Sequence, residues 1–146
     1  MSNSHSRPRW DEYFLAGAAW VATRADCRRA QHGAIIVKDN RIVATGYNGA
    51  ASGQGSCLDG DCPRGLLSYE ELQTMSSYDV GPGRCLAIHA EQNALLYSDR
   101  SAIEGGTIYV TGKPCHTCRR LIGGSGLARV VWSVTGEDWT QDEELL

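Results

Sequence analysis

His89-Ala90-Glu91 and Pro114-Cys115-His116-Thr117-Cys118 constrain this 146-residue chain more than any other part of it. Together they offer an imidazole and two thiolates, a ligand set suited to one zinc ion, with a carboxylate two residues from the imidazole. A structural zinc site fills its four tetrahedral positions with protein, whereas a catalytic one keeps a position for water. Three ligands plus a nearby Glu therefore point to water activated by zinc, with a proton shuttle beside it. Alone, Cys-x-x-Cys also suits a redox pair or half of a structural site, and His-x-Glu arises by chance. The combination, with Pro before the first Cys, is the specific signal.

The rest of the chain supplies a frame for those two segments. Trp10 to about Arg24 predicts a helix with an apolar stripe of Tyr13, Phe14, Ala16, Ala18, Trp20 and Val21, and with Asp11 and Glu12 in the first turn. Ala34 to Val37 and Arg41 to Tyr47, joined through Lys38-Asp39-Asn40, predict a β-hairpin. The stretch from Asn48 to about Arg84 is polar and rich in Gly, Ser, Asp and Cys, interrupted by a short helix around Ser68 to Met75. A loop of that length in a compact domain needs a function or a staple. A helix is predicted from Ile88 to Tyr97, with His89 and Glu91 in its first turn, and a strand from Thr107 to Thr111. Pro114 is expected to open the next helix, which ends near Gly123-Gly124. Ala128 to Val134 predicts a further strand, and the acidic tail carries either a final helix from about Asp138 or another strand. Strand–helix–strand units in the second half favour parallel pairing in a sheet covered by helices.

Bulk properties exclude several functions. Hydrophobic content of 42% and charged content of 21% are ordinary for a globular protein. A net charge of −3 gives no electrostatic footprint for stable nucleic-acid binding. No apolar run is of transmembrane length, so no membrane association is expected. Residues 1–9 are polar and lack the apolar segment of a secretory signal, and are read as a flexible lead to one zinc-dependent domain over 10–146. Six cysteines in a chain that reads as cytoplasmic point to metal before disulfides.

The two zinc-ligand segments form the H-x-E…P-C-x-x-C pattern of zinc-dependent nucleobase deaminases, and the chain resembles the cytidine/deoxycytidylate deaminase superfamily. The resemblance runs from Arg9 to Trp132 and is closest to the deoxycytidylate deaminases. It rests on Trp10-Asp11-Glu12-Tyr13-Phe14, Gly46-Tyr47-Asn48-Gly49, His89-Ala90-Glu91-Gln92-Asn93-Ala94 and Tyr109-Val110-Thr111. It implies a three-layer α/β/α fold with a mixed central sheet, usually of five strands. Four are countable here, the fifth being absent or within the acidic tail. It implies hydrolytic deamination of a cytosine nucleotide, dCMP to dUMP, with CMP, a free (deoxy)cytidine or a modified pyrimidine as alternatives. A catalytically silent zinc-binding module is the reading from another class.

By the same resemblance His89, Cys115 and Cys118 hold the catalytic zinc. Glu91 takes a proton from water, passes it to ring N3 and protonates the departing amine. Asn48 contacts the sugar, the backbone of Ala90 helps hold the base, and Arg24 and Tyr109 are further candidate substrate contacts. Cys27, Cys57, Cys62 and Cys85 match the ligands of a second, structural zinc found in some relatives, which would staple the long loop. A homo-oligomer is implied as well. The chain departs from the family where Gly-x-Pro-x-Gly, a stretch tied to nucleoside-triphosphate regulation in some members, reads Gly49-Ala50-Ala51-Ser52-Gly53. It departs again where Trp132-Ser133-Val134-Thr135-Gly136-Glu137-Asp138 replaces a Tyr-rich segment near the substrate phosphate. Read from the residues alone, the candidate anion-binding groups are Arg24, Arg28, Arg29, Lys113 and Arg119. His116 points off the face shared by the two cysteines, and His32 is read as structural, near the cleft.

Overall fold

The computed structural model describes residues 4–74, 77–133 and 140–144. Helix α1 (Trp10–Ala22) opens the fold, with Phe14, Ala18, Val21 and Ala22 buried at helical spacing. Glu12 reaches back to the backbone N–H of Arg9 (3.3 Å), which satisfies one free donor at the helix start. Strands β1 (Gly33–Lys38) and β2 (Arg41–Tyr47) form the expected hairpin. Its turn has Asp39 and Asn40 at φ of 52° and 58°, the left-handed geometry that matches strand twist and that these short polar residues tolerate. A 3-10 turn (Arg64–Leu66) and helix α2 (Tyr69–Thr74) punctuate the long loop. Then follow α3 (Ala90–Leu96), α4 (Arg100–Ile103), β3 (Thr107–Val110), α5 (His116–Gly124), β4 (Arg129–Ser133) and β5 (Thr140–Glu144).

The sheet runs β2-β1-β3-β4-β5. The β3–β4 pair is parallel, and the other three pairs are antiparallel. Alternation along the central strands builds two cores. Ala34, Ile36, Ile108, Val110, Val130 and Trp132 face α3, α4 and α5, whereas Ile35, Val37, Tyr109 and Val131 face α1. The result is the three-layer mixed α/β/α arrangement that the resemblance implied. Two glycines set the spacing of those layers. A Cβ on Gly33 would lie 2.1 Å from the Ala18 carbonyl of α1, and one on Gly46 would lie 2.3 Å from the Ala90 carbonyl of α3. Gly46 thus lets the start of α3, with His89 and Glu91, seat directly on the sheet.

Several local expectations are corrected. The acidic tail forms strand β5 from Thr140, not a helix, because it closes the open edge of β4 with a full register from Ser133↔Thr140 to Arg129↔Glu144. Asp138 itself lies outside the described residues, as does Met75. His89 is the N-cap of α3, not a residue of its first turn. Pro114 does not open α5: Cys115 occupies the cap with extended backbone, and its sulfur accepts from the Cys118 N–H. Helix α4 was not expected. The four residues of Arg100–Ile103 are too few to leave a periodic signal, and Asp99 caps them by accepting from Ser101 N–H.

Tyr109 is the clearest correction to the expected site. Its ring is 4% exposed on the α1 side of the sheet, opposite α3 and α5, and its hydroxyl donates to Asp11 at 2.7 Å. Arg129 binds the same carboxylate through two nitrogens at 3.0 and 2.7 Å and also pairs with Asp142 of β5. The Arg129 bond holds the Asp11 carboxyl below its ordinary value against the opposing effect of burial, with Tyr109 assisting. Because that value is lowered, the stability Asp11 contributes is complete above the ordinary carboxylate pKa and is lost as pH falls through the lowered one. Tyr109→Phe is expected to cost about 1 kcal/mol of stability in urea unfolding while leaving KM for substrate unchanged. A raised KM would return Tyr109 to the binding site.

Candidate metal centre and cleft

Two helix starts and one hairpin end bring the zinc-ligand residues together. Before α3, Ile88 and Gly49 exchange backbone hydrogen bonds at 2.8 and 3.1 Å, which fastens the chain entering His89 to the segment leaving β2. Gln92 accepts from the His89 N–H at 3.0 Å, and Asn93 donates to the Tyr47 carbonyl at 2.8 Å. These bonds fix where the imidazole starts. On α5, the Cys115 sulfur at the cap, which accepts from the Cys118 N–H, and the Cys118 sulfur one turn later face the same way.

The His89 Nδ1 lies 3.5 Å from the Cys115 sulfur and 3.3 Å from the Cys118 sulfur. All three ligand atoms are within 4.8 Å of one another. Tetrahedral zinc with ordinary bonds to sulfur and nitrogen would space an N–S ligand pair by about 3.5 Å. The triangle therefore fits zinc with little adjustment. Its electrostatics fit a cation as well. Burial pushes the fully buried Cys118 thiol up, and the neighbouring Glu91 carboxylate and Cys115 push it further. Two sulfur ligands and an imidazole nitrogen this close together, with a carboxyl group beside them, suit a cation among them.

Glu91 is 7% exposed, and its Oε2 lies 3.7 Å from the Cys118 sulfur. A Glu in the first turn of a surface helix would face water, but this one faces the centre. A cleft of about 630 Å³ opens onto His89, Glu91 and Cys115 and is also lined by His32, Asn48, Ala90 and Lys113. Asn48 is buried and committed at both ends of its amide. It donates to the Ala30 carbonyl (2.9 Å) and accepts from the His32 N–H (2.8 Å). One N–H and one lone pair remain for a ligand. Arg24 does not line the cleft, so the structure does not bring it to the site. His116 is exposed and likewise absent from the lining. Sequence reading missed Tyr78 and Asp79, which reach the cleft from the long loop, and Gln92, whose place three residues after a cap is a capping-box signal.

Cys27, Cys57, Cys62 and Cys85 converge on a second region. The Cys62 and Cys85 sulfurs are 3.9 Å apart, and a Cβ on Gly65 would lie 2.8 Å from the Cys57 sulfur and 3.9 Å from that of Cys62. Burial raises the Cys57 and Cys85 thiols, with the charges of Cys62 and Cys27 adding to it. At Cys62 burial opposes ionisation, but backbone N–H groups including those of Leu86 and Gly65 outweigh it and hold the thiol low. All six cysteines are unpaired thiols. Among the described residues the tight 4.8 Å grouping occurs at His89, Cys115 and Cys118 and is not repeated here.

The sequence matches the family model described as the cytidine and deoxycytidylate deaminase zinc-binding region over residues 8–134. It is 50% identical over 127 residues to a deoxycytidylate deaminase of Mycobacterium phage D29, covering 87% of this chain and 96% of that protein. A deoxycytidylate deaminase of Saccharomyces cerevisiae is 35% identical over 139 residues, which cover 94% of this chain and 41% of the yeast protein. Among solved structures, the dCMP deaminase of cyanophage S-TIM5 in complex with dCMP and dUMP superposes with a TM-score of 0.61 at 28% identity. The match covers 86% of this chain and 82% of that one.

Proposed function

The chain belongs to the cytidine and deoxycytidylate deaminase family, and from that premise we propose that it hydrolyses dCMP to dUMP with release of ammonia. The observation that carries this reading is the His89–Cys115–Cys118 triangle with the buried Glu91 carboxylate beside it, facing a cleft of nucleotide size. When bound there, zinc supplies the Lewis acidity that brings the pKa of a water molecule towards neutrality. The residues of the chain do the rest. Glu91 accepts the proton of the attacking water and delivers it to ring N3 as oxygen adds to C4. It then moves a second proton to the exocyclic amine, so that water is consumed and ammonia leaves. Ala90, buried at the start of α3, places backbone against the base, and Asn48 offers its spare amide hydrogen to the sugar. Loss of cytosine absorbance, followed across dCMP, CMP, deoxycytidine and cytosine, tests the reading. Turnover of dCMP well above the others supports it, and metal-loaded protein silent on all four would refute it.

Cys27, Cys57, Cys62 and Cys85 are read as holding a second, structural zinc that staples the loop after Asn48. Their convergence supports this, as does the low thiol of Cys62. Elemental analysis is expected to find two zincs per chain, and one in Cys27→Ser; two retained in that variant would remove Cys27 from the ligand set. A homo-oligomer is the expected assembly. A groove of about 520 Å³ between α3, α4 and α5, with Leu96 and Leu121 exposed at it, supports self-association. Six unpaired thiols support a cytoplasmic location. No described helix is long and apolar enough to cross a membrane.

A further inference from the structure

A nucleoside monophosphate brings a phosphate to the cleft, and the cleft is poorly supplied with positive charge. Asp79 and Glu91 both line it, so an anionic substrate meets two carboxylates there. Of the five cations that the sequence offers for anion binding, four do not line the cleft. Arg28 donates to the Leu58 carbonyl, and Arg29 donates to the Leu67 carbonyl while lying 5.2 Å from the Tyr69 ring centroid. Arg119 pairs with Glu143 of β5, and Arg24 does not line the cleft. Lys113 remains. Among the described residues it alone of the lysines and arginines lines the cleft, and its side chain is exposed.

The backbone around Lys113 is built to hold it there. Pro114 follows it, is buried, and restricts Lys113 to extended backbone. Cys115 comes next as the cap of α5 and as a metal-site residue, so Lys113 lies within about 7 Å of that ligand along the chain. On its other side, the His32 ring lies 3.8 Å from where a Cβ on Gly112 would stand, and His32 N–H is held by Asn48. Lys113 therefore stands on the wall that runs from the metal site towards the sugar side of the cleft. A flexible four-carbon stem with an ammonium at its end suits a phosphate at the cleft mouth.

We propose that Lys113 is the phosphate-binding residue that makes this site select a nucleotide. This rests on the dCMP reading above and adds to it the group that distinguishes the monophosphate. A charge-assisted contact of this kind is expected to raise KM for dCMP roughly tenfold to a hundredfold in Lys113→Gln, with kcat little changed. Lys113→Arg should recover most of the loss, and the rise of wild-type KM with ionic strength should flatten in Lys113→Gln. An unchanged KM, a fall in kcat without a rise in KM, or an Arg variant as impaired as the Gln variant would each overturn the assignment. The wild-type arm separates the two readings. Protein that turns over dCMP normally but ignores Lys113→Gln refutes only the role of Lys113. Wild-type protein that deaminates only phosphate-free cytosines refutes the dCMP reading and the lysine with it.

Discussion

Glu91→Gln is expected to lower turnover of dCMP by about a hundredfold to ten-thousandfold, the range that a positioned acid–base group contributes. The substitution keeps the size and most of the hydrogen-bonding capacity of the side chain and removes only its ability to carry a proton. Zinc content should not change, because Glu91 is not one of the three residues of the ligand triangle. The folded protein should not suffer either. Glu91 is buried beside Cys118, where its charge disfavours the thiolate, so an amide relieves repulsion. A variant that keeps zinc and folds normally but has lost turnover isolates the proton shuttle. Appreciable residual activity would assign Glu91 to the helix start alone, where an acidic residue is favoured by the dipole.

Cys118→Ser should be more severe, because it removes the metal. Cys118 is fully buried, with its sulfur 3.3 Å from His89 Nδ1, and serine offers a shorter, harder oxygen that cannot take the place of a thiolate. Zinc at the catalytic site should be lost and turnover should fall by roughly a thousandfold or more, since the metal is what would bring the pKa of water down towards neutrality. The second region provides an internal control. Its four cysteines are contributed by other segments, so a structural zinc there should survive Cys118→Ser. A Cys118→Ser protein with full zinc content and full turnover would exclude Cys118 as a ligand.

The site was legible in the sequence to a greater degree than its surroundings, for a physical reason. A metal centre built on two helix starts needs only short-range spacing: His89 with Glu91, and Cys115 with Cys118. Those spacings survive whatever lies between. The fold around it was legible where burial imposes a period, as in β1, where Ala34 and Ile36 face one layer and Ile35 and Val37 the other. Strand β5 was not, because Thr-Gln-Asp-Glu-Glu carries no apolar alternation and is held by its backbone pairing with β4 and by charge, with Asp142 on Arg129 and Glu143 on Arg119. Such pairing depends on partners distant in sequence. Tyr109 fails for a related reason: a strand residue beside a matching motif can face either layer, and only the register decides. The candidate cations show the same limit. Five were equal on paper, and three are set apart by carbonyl, ring and carboxylate contacts that span 24 residues or more of sequence.

Zinc-dependent hydrolysis at C4 of a cytosine nucleotide leaves an isotopic signature in its product. Zinc-loaded protein is incubated with dCMP in water enriched in oxygen-18, and product and ammonia are quantified by mass spectrometry and titration. Such hydrolysis yields dUMP carrying one heavy oxygen at the former amine position and equimolar ammonia, with loss of both on chelation and recovery on adding zinc. Absence of dUMP from zinc-loaded wild-type protein, or dUMP formed without the heavy oxygen, would contradict it.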